Sequence, residues 1–481
     1  MTAMDFQALL PLLVLASGAT LLMLQIAWIR NPGLTGALAA VILVLAGLSS
    51  RFAAEAAPLQ VTPLLLADRY ALLFCTLFCL AGAVTALLSR DYVSRGDEPE
   101  EFFLLLVLAT MGACVLAYAV HVASLLLGLE LLSVSLYTLI AYPNKSILPL
   151  EAAVKYLVLS GAASATALFG FALLYSATGT LGFSAIGQGL GETSTGQSVL
   201  LPAAVMIFAG LAFKLSVVPF HLWTPDVYDG APAPVTGFLA SVAKGAVFVV
   251  LLRLFLDADL FRYYRLVEVT GLLAIFSMIM GNLLALLQSN IKRMLAYSSI
   301  AHIGYLLIVL MVCTSSANRA LAVEAAIYYL VAYTATTIAA FGLLTLISCD
   351  PSGRENIQLQ QVSGLFWRQP LLACLMMVAL LSLAGIPLTA GFIAKFYLVN
   401  AAVSGDHWVL LFSLVAGSSI GIYYYLRVIY YMTRRPEEHG AEHDTISDWQ
   451  GRILSGLLIA SILLLGVAPE SLMQYLRAIL Q

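Results

Sequence analysis

Five ionisable side chains lie inside stretches of this sequence that otherwise have the composition of membrane-spanning helices. They are Glu130, Lys155, Lys214, Lys244 and Lys395. A charge at the centre of a bilayer costs from about 2.5 to more than about 10 kcal/mol, so charges found there generally serve the movement of ions or protons. Because lysine and glutamate can both gain and lose a proton, the pattern predicts a proton or cation path through a membrane.

Two of these lysines lie beside segments in which proline and glycine interrupt a helix. Residues 219–235, just after Lys214, contain four prolines, and residues 383–392, just before Lys395, contain Gly385. Proline removes a helix hydrogen bond, and unwound backbone survives in a membrane only where protein or water satisfies it. We therefore predict two broken helices, at which water can reach these lysines.

Glu130 is the predicted counter-ion of Lys214. Without an opposite charge a lysine in hydrocarbon would lose its proton, and a nearby carboxylate reverses that preference. If the glutamate charge moved nearer, the lysine would gain a proton, and if it moved farther away, the lysine would lose one. The alternative is a static ion pair that holds two helices together, although buried pairs rarely add net stability.

The remaining candidates extend this pair into a relay. His221 lies at the first break and could bridge Lys214 to Lys244, because histidine titrates near neutral pH; alternatively it makes only a structural hydrogen bond. Lys395 would be the last residue of the relay, from which protons pass to the far side of the membrane. Lys155 lies close to one end of its span, so it could feed Lys214 or simply extend to the membrane surface.

The surrounding sequence indicates an all-α integral membrane protein. Hydrophobic residues make up 61% and charged residues 10% of the 481 residues, whereas soluble domains have roughly 25% charged residues. A span needs about 20 mostly apolar residues, and the sequence predicts fourteen of them, with the seventh and twelfth broken. The predicted spans are 7–29, 35–50, 69–89, 101–119, 122–142, 150–176, 200–219, 237–256, 266–287, 293–314, 320–347, 370–398, 408–432 and 452–470.

Basic residues in the loops predict the orientation of the chain. With the N-terminus outside, the cytoplasmic loops hold eleven basic residues, which are Arg30, Arg90, Arg95, Lys145, Lys292, Arg293, Arg354, Arg368, Arg434, Arg435 and Arg452. The opposite loops hold six, which are Arg51, Arg69, Arg262, Arg265, Arg319 and Arg477. Cytoplasmic loops are enriched in basic residues, so we predict an external N-terminus.

The spacing of the two breaks predicts an internal repeat. Because the breaks are five spans apart, two five-helix units are expected, and an odd number of spans inverts the second unit relative to the first, as in many transporters. The predicted boundaries are 1–100 for the N-terminal flanking helices, 101–256 for the first unit with its break near 214–235, 266–432 for the second unit with its break near 383–395, and 452–481 for a C-terminal helix.

The six cysteines do not predict a metal site. All but Cys349 lie well inside apolar runs, where cysteine behaves as a small hydrophobic residue. Cys75 and Cys79 share a helix face, but no histidine or acid joins them in the sequence. We therefore expect no metal, no iron–sulfur cluster and no other cofactor in this chain.

Several long motifs resemble one protein family. FKLSVVPFHLWTPDVYDGAPAPVTGFLASVAKGAVF (213–248), ASLLLGLELLSVSLY (123–137), NIKRMLAYSSIAHIGYLL (290–307) and SLAGIPLTAGFIAKFYL (382–398) are similar to motifs of the proton-translocating membrane subunits of respiratory complex I and of their relatives, the Mrp-type cation/proton antiporters. The likeness runs along the whole chain. One small departure is Ala394, which stands where glycine is frequent in the family.

The resemblance implies roles and partners for the chain. It implies Glu130 and Lys214 as the coupling pair, Lys244 and His221 as the central relay, Lys395 as the exit and Lys155 as a candidate for proton uptake. NADH oxidation, FMN, iron–sulfur clusters and quinone reduction would belong to other subunits. The chain would lie in the bacterial inner membrane with a periplasmic N-terminus. Its expected partners are antiporter-like M- and L-type subunits, small K-, J- and A-type subunits and lipid, with no nucleic acid.

Three function classes are compatible with a row of membrane charges. A pump subunit of NADH:quinone oxidoreductase would use redox energy that other subunits release, whereas an Mrp-type subunit would exchange Na⁺ or K⁺ for H⁺. A scaffold would use its charges only to hold helices together. The motif TPDVY (224–228) favours the pump over the antiporter, and the central lysines disfavour the scaffold.

Overall fold

The helices follow the predicted order along the chain. The computed structural model describes residues 2–94, 98–142, 147–192, 197–348, 357–435 and 449–480. Three of the basic residues counted for the orientation (Arg95, Lys145 and Arg354) and Cys349 lie outside these ranges.

The first part of the chain contains the flanking helices and a short hairpin, and it ends with a break. Its elements are α1 Ala3–Ala8, α2 Leu10–Trp28, α3 Pro32–Ala53, β1 Leu59–Thr62, β2 Leu65–Ala67, α4 Arg69–Val93, α5 Pro99–Tyr118, α6 Val122–Ala141, α7 Ile147–Thr178, α8 Phe183–Glu192, α9 Gln197–Leu215, α10 Trp223–Gly230, α11 Ala233–Phe238 and α12 Lys244–Asp257. A π-helical turn, Leu239–Ala243, joins α11 to α12. Strands β1 and β2 pair antiparallel.

The second part contains the second break. Its elements are α13 Tyr264–Leu286, α14 Ile291–Val312, α15 Arg319–Ser348, α16 Leu365–Arg368, α17 Pro370–Ala384, α18 Ala390–Ser404, α19 Trp408–Thr433, α20 Trp449–Val467 and α21 Pro469–Leu480. Short 3₁₀ turns, Leu260–Arg262 and Ser316–Asn318, precede α13 and α15.

Twelve helices in the described ranges are long and apolar enough to cross a membrane, judged by length and composition. They coincide with twelve of the fourteen predicted spans. The other two predicted spans, the seventh and the twelfth, correspond to the shorter apolar helices, which are α9 for the seventh and the pair α17 and α18 for the twelfth. The prediction of an all-helical membrane protein with two interrupted spans is therefore confirmed, whereas its division into two inverted repeats stays a prediction.

The two breaks have different local causes. After α9 the backbone turns at Ser216, whose φ of 63° prevents the helix from continuing, and Pro219 cannot donate a helix hydrogen bond. In the second break, Gly385 ends α17 with a φ of 83° and donates its N–H to the carbonyls of Leu381 and Ser382. A glycine-based end of this kind satisfies the last carbonyls of a helix.

The core lies around the segment from α11 to α12 and around α14. All of the most apolar part of residues 233–257 is buried by neighbouring helices, and α14 is nearly as enclosed. The outer helices α2, α7, α13, α19 and α20 expose apolar side chains instead, as expected where lipid or another apolar surface covers them. Lys214, Lys244 and Lys395 are therefore carried by helices in the interior of the bundle or by the broken spans, whereas Lys155 lies on the outer helix α7.

Candidate functional site

Lys214 lies on the last turn of α9, one residue before that helix ends. Its ammonium group donates to the hydroxyls of Ser133 on α6 and Ser160 on α7, with both N–O distances at 2.6 Å. Tyr137 donates to Ser160 at 2.7 Å. A lysine nitrogen surrounded by hydroxyl groups can exchange a proton through them, because a hydroxyl both donates and accepts.

Glu130 does not make an ion pair with Lys214 within the described part of the chain. The lysine nitrogen binds the two serines, and Glu130 Oε1 is buried without a hydrogen-bond partner among the described residues. The carboxylate still acts on Lys214 through its charge. The structure therefore brings the two residues into the same region but does not make Glu130 the direct contact that a simple counter-ion would be.

His221 lies in the break, next to the start of α10. The side chain is buried, with 7% exposure, and its ring interacts with the Pro219 carbonyl, although neither ring nitrogen makes a hydrogen bond of normal geometry among the residues that the structure describes. A buried imidazole whose two nitrogens are unsatisfied by protein is suited to bind water and to pass a proton.

Lys244 begins α12 and is 1% exposed. Its ammonium group donates to the hydroxyl of Ser299 on α14 at 2.8 Å. It also lies over the rings of Tyr228 and Trp223 on α10, at 5.1 and 6.0 Å from the ring centroids. Aromatic faces attract cations within about 6 Å, so α10 stabilises the charged form of the lysine without supplying a carboxylate.

Polar side chains of α14 approach both Lys244 and Lys395. Ser299 contacts Lys244, and one turn farther His302 Nδ1 bonds the Tyr329 hydroxyl at 2.6 Å. His302 and Lys395 line the same narrow cavity between α14, α15 and the second break, which has room for about one water molecule. His302 thus lies between the two lysines.

The sequence analysis did not single out His302. The available signal was the polar periodicity of AYSSIAHIGY (296–305), in which Ser298, His302 and Tyr305 recur at helical spacing within an apolar span. Such a stripe on one face of a buried helix indicates a polar path, because isolated polar groups in that setting are costly.

Lys395 lies on α18, beside the second break. Its ammonium group donates to the carbonyls of Leu383 and Ala384 at 3.0 and 2.9 Å, at the C-terminal end of α17 where the helix dipole is negative. A Cβ on Gly385 would lie 2.8 Å from Lys395 Cδ. Glycine is therefore required there twice, for its positive φ and for the space that the lysine occupies.

Lys155 lies apart from the other lysines. It is near the start of α7, its side chain is 42% exposed, and it pairs with Glu151 at 2.8 Å and with Asp226 at 2.9 Å. Arg293 contacts the other oxygen of Asp226 at 2.8 Å. Lys155 therefore belongs to an ion-pair cluster at one end of the bundle, where α7, α10 and α14 meet.

Three thiols approach one another elsewhere in the bundle. The sulfur atoms of Cys75, Cys79 and Cys114 are buried and lie within 4.8 Å of one another, and those of Cys79 and Cys114 are 3.8 Å apart. The sequence analysis considered only the first two. Such a set of thiols has the chemistry to bind a soft metal ion. Cys374 lies elsewhere, and it is exposed although the sequence places it in an apolar run.

Comparison with known proteins agrees with the family resemblance that the sequence motifs indicate. The family described as "NADH:quinone oxidoreductase/Mrp antiporter, TM" matches residues 119–421, which include both breaks and the candidate relay. The chain belongs to this family. Within it, NADH-quinone oxidoreductase subunit N of Ectopseudomonas mendocina (strain ymp) is 47% identical over 98% of this chain and 96% of that protein.

Two solved structures have the same fold as this chain. A chain of respiratory complex I from Thermus thermophilus superposes with a TM-score of 0.81 at 31% identity, covering 96% of this chain and 98% of that one. The Mrp complex from Dietzia sp. DQ12-45-1b gives a TM-score of 0.85 at 19% identity over 100% of both chains. At 19% identity the second comparison establishes the fold alone. The identity to subunit N agrees with the prediction from TPDVY (224–228) of a pump subunit rather than an antiporter.

Proposed function

We propose that this chain is the N-type proton-translocating subunit of an NADH:quinone oxidoreductase. The observation that carries the proposal is the series of buried lysines Lys214, Lys244 and Lys395, the first and last of which lie beside the two helix breaks, in a chain that is 47% identical to a subunit N. Buried lysines held by hydroxyls, carbonyls and aromatic faces rather than by acids can change protonation state without breaking a strong ion pair.

The proposed path runs from the first break to the second. Glu130 tunes Lys214 through its charge, and His221 transfers the proton to Lys244 through water in the break. Ser299 and His302 connect Lys244 to Lys395, and Lys395 releases the proton beside the second break. Each step moves a proton between groups that can both hold and release it.

For Lys155 we keep the proton-uptake role that the resemblance implies, with a structural role as the alternative. Its two carboxylate partners, Glu151 and Asp226, support a function in collecting protons or holding α10 at the membrane end. It is not a link between buried lysines.

The redox chemistry would take place in other subunits. The chain would act as part of the enzyme complex in a bacterial inner membrane, with antiporter-like M- and L-type and small K-, J- and A-type subunits as neighbours. FMN, the iron–sulfur clusters and the quinone site would be in those partners or in the peripheral arm. We propose a periplasmic N-terminus, which the distribution of basic loop residues supports.

An Mrp-type antiporter subunit is the second candidate, since the fold matches an Mrp complex with a TM-score of 0.85. The pump is favoured because the sequence identity to the Mrp chain is 19% and that to the subunit N is 47%. A difference of this size at comparable coverage places the chain nearer to the oxidoreductase branch.

The deciding experiment measures proton pumping and NADH:quinone turnover in membranes carrying Lys395→Ala and Lys395→Arg. Arginine keeps the positive charge but does not release its proton in proteins, so both variants should lose pumping by roughly tenfold or more if Lys395 transfers protons. Assembly is checked by the amount of intact complex in the membrane. Unchanged protons per electron in both assembled variants would exclude the relay.

A further inference from the structure

We infer that the aromatic face of Tyr305 stabilises the positive charge of Lys395 in the absence of a carboxylate, and that Asn282 holds the Tyr305 ring in position. The inference rests on the proposed function and names positioning residues for its last step. Neither Tyr305 nor Asn282 belongs to the relay itself. Their role is to favour the proton-bearing form of Lys395 until the proton leaves.

Lys395 makes no ion pair within the described ranges. Its nitrogen binds the Leu383 and Ala384 carbonyls and lies 5.4 Å from the centroid of the Tyr305 ring. An ammonium over an aromatic ring within about 6 Å is attracted by the ring quadrupole, and more strongly where water is excluded. Tyr305 is 1% exposed, so this contact has the dry surroundings in which such an attraction is largest.

The Tyr305 ring is fixed by a hydrogen-bond network at its hydroxyl. Asn282 on α13 donates to the Tyr305 hydroxyl at 2.9 Å and to the Met278 carbonyl at 2.6 Å. The Tyr424 hydroxyl on α19 donates to Asn282 Oδ1 at 3.0 Å. Asn282 and Tyr424 are each 1% exposed, so the network joins three helices in the interior and holds the ring in one orientation.

Space for this network comes from Gly417 on α19. A Cβ at that position would lie 2.9 Å from Asn282 Nδ2 and 3.1 Å from the Tyr305 oxygen. Because glycine has no side chain, α19 can approach α13 and α14 closely at Gly417. The bond between the asparagine and the tyrosine fits only where α19 presents no side chain.

The other titratable groups near Lys395 do not supply a negative charge. From α14 and α15 the cavity is lined by His302, Tyr329 and Tyr333, and α17 contributes its carbonyls. From α19, Tyr424 and Tyr425 are the buried phenols. No aspartate or glutamate lines this cavity in the described residues. The positive charge of Lys395 is therefore stabilised by the Tyr305 ring and by the C-terminal carbonyls of α17.

The test measures the pH dependence of protons pumped per electron by the intact complex in membrane vesicles. Tyr305→Leu removes the ring, Tyr305→Phe keeps the ring and removes its anchor, and Asn282→Leu removes the anchor alone. If the ring favours the protonated lysine, the decline of pumping at high pH (the alkaline limb of the profile) should move to lower pH by about half to one unit in Tyr305→Leu. This shift corresponds to about 0.7–1.4 kcal/mol, the size expected of a cation–aromatic contact away from water. The two anchor variants should shift it less and in the same direction.

Tyr328→Leu is the matched control, because Tyr328 is equally buried and its hydroxyl bonds the Leu465 carbonyl. Its profile should stay that of the unmodified complex. An unchanged alkaline limb in assembled Tyr305→Leu overturns the inference. If that variant does not assemble, unchanged profiles in both Tyr305→Phe and Asn282→Leu overturn it instead.

Lys395→Ala separates this inference from the proposed function. If that variant pumps normally, the proposed function fails, and the inference fails with it. If Lys395→Ala loses pumping while Tyr305→Leu retains the unmodified profile, only the positioning role of Tyr305 is wrong.

Discussion

Single residues in this chain hold charge in an apolar interior without carboxylate contacts. Lys214 binds serine hydroxyls, Lys244 binds a serine and two aromatic faces, and Lys395 binds carbonyls. Burying a charge costs free energy unless it is paired and hydrogen-bonded. Weak, distributed partners reduce that cost while leaving the proton exchangeable, whereas a direct ion pair would hold the proton tightly.

His302 is the residue at which this principle is most easily tested. Replacing it with alanine removes the imidazole that lines the cavity next to Lys395, and the Tyr329 hydroxyl loses its partner. We expect pumping to fall by roughly tenfold or more, in line with the loss of a proton-transferring group. The measurement is protons pumped per electron in assembled complex.

Thr345→Ala serves as the control for His302→Ala, because that threonine is also buried in the bundle but bonds only the Phe341 carbonyl of its own helix. Normal pumping in His302→Ala would show that protons reach Lys395 by another way.

At the scale of elements, α10 connects the membrane end of the bundle to the buried site. Asp226 on its outer side contacts Lys155 and Arg293, while Trp223 and Tyr228 on its inner side lie against Lys244. As a short helix within the first break, α10 has few backbone constraints of its own. Its position, and hence the aromatic faces offered to Lys244, depends on these side-chain contacts.

The protonation of Asp226 indicates the pH range in which these contacts hold. Burial raises the pKa of this carboxyl, but the hydrogen bonds and charges of Lys155 and Arg293 outweigh burial and hold the pKa below its ordinary value of 3.8. The ion pairs therefore contribute above the ordinary pKa and are lost only as the pH falls through the lowered one. Across pH 5 to 8, which lies above this pKa, they should remain formed.

Asp226→Asn should loosen α10 and lower pumping by a few fold, with little change in stability. Partly exposed ion pairs contribute only about 0.2–1 kcal/mol each, so the effect is on the position of α10 rather than on folding. Pumping should be compared with that of Asp229→Asn, whose contact to Arg293 is longer, at 3.8 Å. Equal pumping in the two variants would contradict a specific role for Asp226.

At the scale of the whole molecule, one buried ion pair ties the N-terminal helices to the core. Arg253 on α12 contacts both oxygens of Asp68, at the start of α4, at 2.9 and 2.8 Å. The arginine side chain is 5% exposed, and its guanidinium also lies over the Tyr70 ring. The flanking helices thus share a buried charge with the segment that carries Lys244.

Asp68→Asn should lower the thermal stability of the complex, because it leaves the Arg253 charge buried without a carboxylate. Removing one partner of a buried pair costs about 3–5 kcal/mol, and the partial exposure of Asp68 places the expected value at the lower end. The measurement is the temperature at which half of the purified complex loses this chain. The double variant Asp68→Asn, Arg253→Met should recover most of the loss.

Hydropathy and local chemistry determined much of this protein from the sequence. The twelve long spans follow from runs of apolar residues, and the two breaks follow from the prolines of residues 219–235 and from Gly385. The six candidate relay residues were visible because ionisable groups are rare in hydrocarbon. These signals are local, so they can be seen without knowing which helices touch.

Only the tertiary structure decided which side chains meet. It showed that Lys214 contacts serines instead of Glu130, that His302 lies between Lys244 and Lys395, and that Lys155 belongs to a cluster at the membrane end. Each of these facts depends on helices distant in sequence. Periodicity specifies the face on which a residue lies, whereas packing between helices determines which residue of another helix stands opposite it.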